Sequence, residues 1–233
     1  MRPRPPGLRR GVYSRATMPV TFSAISVAIL GFLLGIRHAV DPDHVVAVGT
    51  IATRHATFRH AATVGALWGL GHTVTIMAVG GSIIVLRIAI SPRVGLAMEF
   101  AVAMMLIALG LMNVANSRHA DSAPPSAARP LAVGMVHGLA GSAAVALLVL
   151  ATVTDSFWAF AYLCLFGLGT IVGMILVTAV IAMPASFAVS RVANARRWLT
   201  LASGVVSLVF GAILASELTG AGLFSDAPTW TPH

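Results

Sequence analysis

Apolar residues run in six long stretches, at about 20–36, 61–86, 94–114, 131–152, 157–181 and 199–218, parted by short segments rich in Arg, Pro and Gly. Each approaches or exceeds the roughly 20 residues that a helix needs to cross a hydrocarbon core. Glu99 and Glu217 are the only formal charges inside them. Lipid supplies no water to unpaired backbone groups, so stretches of this kind must close their hydrogen bonds internally, as helices. The predicted fold is all-α: a polytopic membrane bundle of about six transmembrane helices.

Composition points the same way. The chain is 58% hydrophobic and 9% charged, with a mean hydropathy of +0.90, whereas a soluble domain carries about 25% charged residues. A water-soluble enzyme, a disordered tail and a coiled coil are excluded. The formal charge of +8 comes entirely from Arg, with no Lys, and the arginines fall between apolar runs rather than on one patch. That distribution fits contact with a lipid bilayer and not with nucleic acid. Counted by alternating sides, eight arginines oppose seven, which sets no orientation. The lone Cys164 removes any disulfide framework or cysteine metal cluster.

Residues 1–19 read as an Arg/Pro-rich disordered tail, retained rather than cleaved. Residues 20–218 read as one transport domain, and 219–233 as a C-terminal tail. Inside the domain lies a repeat. Gly35-Ile36-Arg37-His38 resembles Gly134-Met135-Val136-His137, and Gly69-Leu70-Gly71-His72 resembles Gly167-Leu168-Gly169-Thr170, at offsets of 99 (137 − 38) and 98 (169 − 71). Two halves, about 20–114 and 131–218, would each hold three helices, and an odd number inverts the second half. Inverted repeats suit a transporter whose halves rock about a central site.

The densest chemistry is Arg37-His38-Ala39-Val40-Asp41-Pro42-Asp43-His44, where the first span ends. Carboxylate oxygen with imidazole nitrogen suits Ni²⁺, Co²⁺ and Zn²⁺, and such a site weakens as pH falls because its ligands must shed protons. Pro42 lacks an N–H and disfavours helical dihedrals at Asp41. The helix should therefore break near Asp41, with a second one starting at Pro42 and Asp41 as its N-cap. The break folds His38 back towards His44. The alternative gives the two aspartates only capping and first-turn roles, with both histidines at a headgroup interface.

His72 stands near the middle of a charge-free span and is the next candidate ligand, unless it only bonds a neighbouring helix. His137 occupies the repeat-equivalent place of His38 and reads equally as ligand or packing residue. Glu99 is a candidate proton relay or cation contact. Asn113 reads as a helix-end hydrogen bond. The methionines read as packing residues.

Residues 37–44 resemble the signature of the nickel/cobalt transporter family, R-H-A-x-D-A-D-H, and Leu70-Gly71-His72-Thr73 is similar to its second motif, L-G-H-S/T. Pro42 stands where the family usually has Ala. Val136-His137-Gly138-Leu139-Ala140-Gly141 lacks the acidic third motif of the eight-span members and looks more like the six-span branch, some of whose members are encoded with urease genes. The resemblance implies movement of Ni²⁺ or Co²⁺ across the cytoplasmic membrane, with His38, Asp41, Asp43, His44 and His72 as the metal-recognising residues.

The expected function is thus transport of Ni²⁺, with Co²⁺ as a second cargo, by a multi-pass protein of the cell membrane. No resident cofactor and no catalytic turnover are expected, because the metal is the cargo. A cytoplasmic metallochaperone is a candidate partner. Efflux is the nearest alternative; a metal-handling accessory protein or a membrane metalloenzyme is a more distant one.

Overall fold

The computed structural model describes residues 24–52, 58–86, 90–117, 127–139, 155–225 and 228. Seven helices and no strand occur among them: α1 (Ala24–His38), α2 (Pro42–Ala52), α3 (Phe58–Leu86), α4 (Pro92–Ala115), α5 (Ala128–His137), α6 (Ser156–Arg191) and α7 (Ala195–Gly220). The chain is a polytopic helical membrane protein. Helices α3, α4, α6 and α7 are each long and apolar enough to span a bilayer, and they match four of the six expected stretches. The expected first span is described from Ala24 onward. The expected fourth differs: α5 ends at His137 rather than running on towards 152, and residues 140–154 lie outside the described residues. Gly138 and Leu139 turn the chain there, Gly138 N–H bonding the Gly134 carbonyl and Leu139 N–H that of Val136. Residues 1–19 are also outside the description. At the other end α7 continues to Gly220, past the expected boundary at 218.

Local sequence explains the helix ends that position the site. Helix α1 stops at His38 and α2 begins at Pro42, as the missing proline N–H requires. Ser91 caps α4, its side chain accepting from Val94 N–H with Pro92 following, and Asp155 caps α6 by accepting from Phe157 and Trp158 N–H groups. Helices α6 and α7 are joined by a short turn in which Asn194 takes a φ of 61°, a left-handed conformation that Asn tolerates better than most residues.

Helix packing follows a crossed pattern. Helix α1 lies against α6, α5 against α3, α3 against α6, and α4 against α7. Glycine makes each close approach. A Cβ on Gly35 of α1 would strike the carbonyl of Phe166 in α6, and one on Gly134 of α5 would strike that of Trp68 in α3. Likewise Gly169 of α6 faces the carbonyl of Phe32 in α1, and Gly71 of α3 faces that of Leu131 in α5. These contacts map onto one another by the sequence offsets: Gly35 and Gly134 differ by 99 (134 − 35), Trp68 and Phe166 by 98 (166 − 68). The first helix of each repeat therefore packs on the long second helix of the other. Beneath the site a shared core joins Ala47, Val48, Trp68, Leu106, Val133 and Met174.

Candidate metal centre

Two helices end at the same place. His38 is the last residue of α1 and His137 the last residue of α5, and both reach the first turn of α2, which carries Asp43 and His44. Helix C-termini carry partial negative charge and carbonyls without intrahelical partners, a favourable setting for a cation. His72 comes from α3, where residues 58–71 precede it and 73–86 follow it. At about 1.5 Å per residue it stands roughly 21 Å from either end of that helix.

The four imidazoles form one buried cluster. Ring centroids lie 4.5 Å apart for His38 and His44, 5.1 Å for His44 and His72, and 4.1 Å for His44 and His137. His44, His72 and His137 are fully buried, and His38 nearly so. His38 Nε2 sits 2.9 Å from His72 Nε2. The other nitrogen of His38, Nδ1, is 2.9 Å from Asp41 Oδ2. His44 Nδ1 is 3.0 Å from Asp43 Oδ1, and His137 Nε2 is 2.8 Å from Asp43 Oδ2. His44 Nε2, His72 Nδ1 and His137 Nδ1 are buried with no hydrogen-bond partner among the described residues. Leaving a buried polar atom unpaired is costly.

Ligand atoms of His38, His44 and His72 lie within 4.8 Å of one another, and so do those of Asp43, His44 and His137. The proline break thus brings His38, Asp43 and His44 together with His72, and the fold adds His137 from α5. The Asp41 carboxylate is turned back to His38 and is the most exposed member of the group. Carboxylates on Nδ1 fix the tautomer that leaves Nε2 for a metal, the usual arrangement behind metal-binding histidines.

Glu99 lies elsewhere. It is buried on α4, within a turn of Leu96 and Ala103, which pack with Leu218 of α7, and it belongs to neither three-residue group. Asn113 makes the anticipated helix-end bond: its Nδ2 donates to the Thr50 carbonyl at 2.7 Å, tying the end of α2 to α4, and reaches Ser203 Oγ at 3.4 Å.

Two aromatic walls were not singled out from sequence. The Trp68 ring stacks on His44, centroids 6.0 Å apart and 15° between planes, and lies 5.5 Å from His137. Phe166 lies 5.5 Å from His38. Trp68 stands four residues before His72, and Phe166 is its counterpart under the repeat. That correspondence was the available signal.

The features so far define a helical membrane protein with a buried imidazole–carboxylate cluster where broken helices converge. The profile of the family described as NicO, high-affinity nickel-transport protein, matches residues 24–120. The chain is also 31% identical over 204 residues to the urease accessory protein UreH of Bacillus sp. (strain TB-90), covering 80% of this chain and 89% of that one. No solved structure matches. The chain belongs to the nickel-transport family.

Proposed function

We propose that this chain carries Ni²⁺, with Co²⁺ as a second cargo, inward across the cytoplasmic membrane, and that His38, His44 and His72 are its principal ligands. The observation that carries the reading is the facing pair of imidazole nitrogens, His38 Nε2 and His72 Nε2, 2.9 Å apart, beside the buried and unpartnered Nε2 of His44. With metal–nitrogen bonds of roughly 2.1 Å, neighbouring ligand atoms stand about 3.0 Å apart at right angles and about 3.4 Å apart in a tetrahedron. The His38–His72 separation already falls at the lower figure, so an ion takes the place of the shared proton, which passes to the unpartnered His72 Nδ1, with little movement of the rings. Nitrogen donors of this kind suit Ni²⁺ and Co²⁺ and are poor for Ca²⁺. Asp41 and Asp43 act from behind as orienting carboxylates, and Glu99 is given no part.

The sequence has no G-x-x-x-x-G-K-[ST] phosphate loop. A membrane potential of about 100 mV supplies roughly 2.3 kcal/mol per charge, enough to draw a divalent ion inward unaided. The six-span topology and the halves 20–114 and 131–218 belong to the same proposal, supported by contacts that recur at the repeat offsets. In the cell a cytoplasmic metallochaperone would receive the ion.

Radioactive nickel accumulation in cells expressing the wild type, His38→Ala and His72→Ala tests the reading. Uptake predicts accumulation in the wild type that both substitutions abolish. Depletion in the wild type would reverse the direction to export. Equal metal content in all strains would reject transport.

A further inference from the structure

We propose that the cargo occupies two successive stations that share His44, the first formed by His38, His44 and His72, the second by Asp43, His44 and His137. This rests on the transport reading above and adds a second binding position to it. His44 lies between the other rings: His38 and His72 on one side, with centroids 4.5 and 5.1 Å away, and His137 on another at 4.1 Å. Its two nitrogens divide between the stations. Nε2 is buried and unpartnered, free for the first group, while Nδ1 meets Asp43 Oδ1 at 3.0 Å. The other oxygen of Asp43 meets His137 Nε2 at 2.8 Å. These two spacings match the roughly 3.0 Å edge expected between neighbouring ligands on one ion. Among the described residues Asp43 is the only hydrogen-bond partner of His137, whose Nδ1 is buried without one.

Proton bookkeeping makes occupancy alternate. A neutral imidazole has one N–H and one lone pair. An ion on His44 Nε2 needs the proton on Nδ1, where Asp43 accepts it. An ion on His44 Nδ1 needs that proton on Nε2, facing the nitrogens that His38 and His72 have just been freed to offer. His137 makes the matching exchange, its proton passing from Nε2 to Nδ1, and on both rings a water molecule shed by the ion carries the proton between the two nitrogens. Each ring keeps one proton, so the transfer neither gains nor releases any, and the chain holds one ion at a time. The first station gives three neutral nitrogens, the second two nitrogens and the two oxygens of one carboxylate, so three residues hold the ion at either position.

The test uses the full-length protein, in detergent for Co²⁺ and Ni²⁺ titration and in proteoliposomes for nickel flux. The expected result is one ion bound per chain. His72→Ala should weaken Co²⁺ binding by at least about tenfold. His137→Ala should cut flux by at least about tenfold while weakening Co²⁺ binding less than His72→Ala does. His137→Gln, whose amide still donates to Asp43, should behave as His137→Ala does and covers the case in which the alanine variant does not fold. Two ions per chain, binding weakened as much by His137→Gln as by His72→Ala, or full flux in the His137 variants would each overturn the second station. Failure of the transport reading would show separately, as a wild type that moves no metal.

Discussion

His38 and His72 meet nitrogen to nitrogen, 2.9 Å apart, although 34 residues separate them in the chain. In that pair one ring donates and the other accepts, and Asp41 behind His38 decides where the His38 proton sits. A divalent ion between them would take a lone pair from each ring.

Replacing Asp41 with Asn removes the charge that holds His38 in that tautomer. Co²⁺ affinity should fall by about 10–100-fold, the usual cost of losing a partner behind a metal-binding histidine. Thermal stability should barely change, since Asp41 is a third exposed. Titration followed by cobalt absorption, alongside a melting curve, checks both halves of the expectation.

The crossed glycine contacts predict a matched pair of destabilised variants. Gly35→Ala and Gly134→Ala each push a Cβ into a backbone carbonyl of the facing helix, and each should cost about 1–3 kcal/mol. Gly81 of α3 has nothing within 4 Å of such a Cβ, so Gly81→Ala should be neutral or stabilising by up to about 1 kcal/mol. Melting temperatures in detergent that ranked Gly81→Ala with the other two would contradict the packing.

Asn113→Ala removes the amide that holds the Thr50 carbonyl. Stability should drop by about 1–3 kcal/mol because a buried acceptor loses its donor. Nickel uptake should fall as well, since α2 carries Asp43 and His44. Unchanged uptake at a lowered melting temperature would mean that the α2–α4 tie does not position the site.

Trp68 offers an optical readout. Its ring stacks on His44, whereas Trp158 and Trp198 are exposed; replacing these two and Trp230 by Phe leaves Trp68 as the one indole. In that triple variant, paramagnetic Ni²⁺ or Co²⁺ should quench the remaining emission, and His72→Ala should shift the quenching to higher metal concentration. Emission indifferent to metal would place the ion away from His44.

Much of the site was legible because its causes are local. Pro42 cannot donate into a helix, so the break between α1 and α2 was readable from one residue, and so was the approach of His38 to His44. His137 was visible only as a repeat partner of His38. Its pairing with Asp43 depends on α5 ending there and on Gly138, where a Cβ would come 2.7 Å from the His72 carbonyl. The repeat links Trp68 to Phe166, but nothing local marks either as a wall of the cluster, because an aromatic residue in an apolar span reads equally well as facing lipid.

The linear chain determined that the long apolar segments α3, α4, α6 and α7 are helices able to enter a bilayer, since burying backbone polar groups in hydrocarbon leaves the helix as the economical form, and it determined where α1 must stop. Only the tertiary structure decided partnership: that α1 leaves its own repeat to lie on α6, that α5 lies on α3, and that Glu99 joins neither three-residue group. The physical reason is distance along the chain. Hydropathy and proline act within a few residues of themselves, whereas glycine against carbonyl and imidazole against imidazole are chosen between segments up to 137 residues apart (169 − 32), by which surfaces fit.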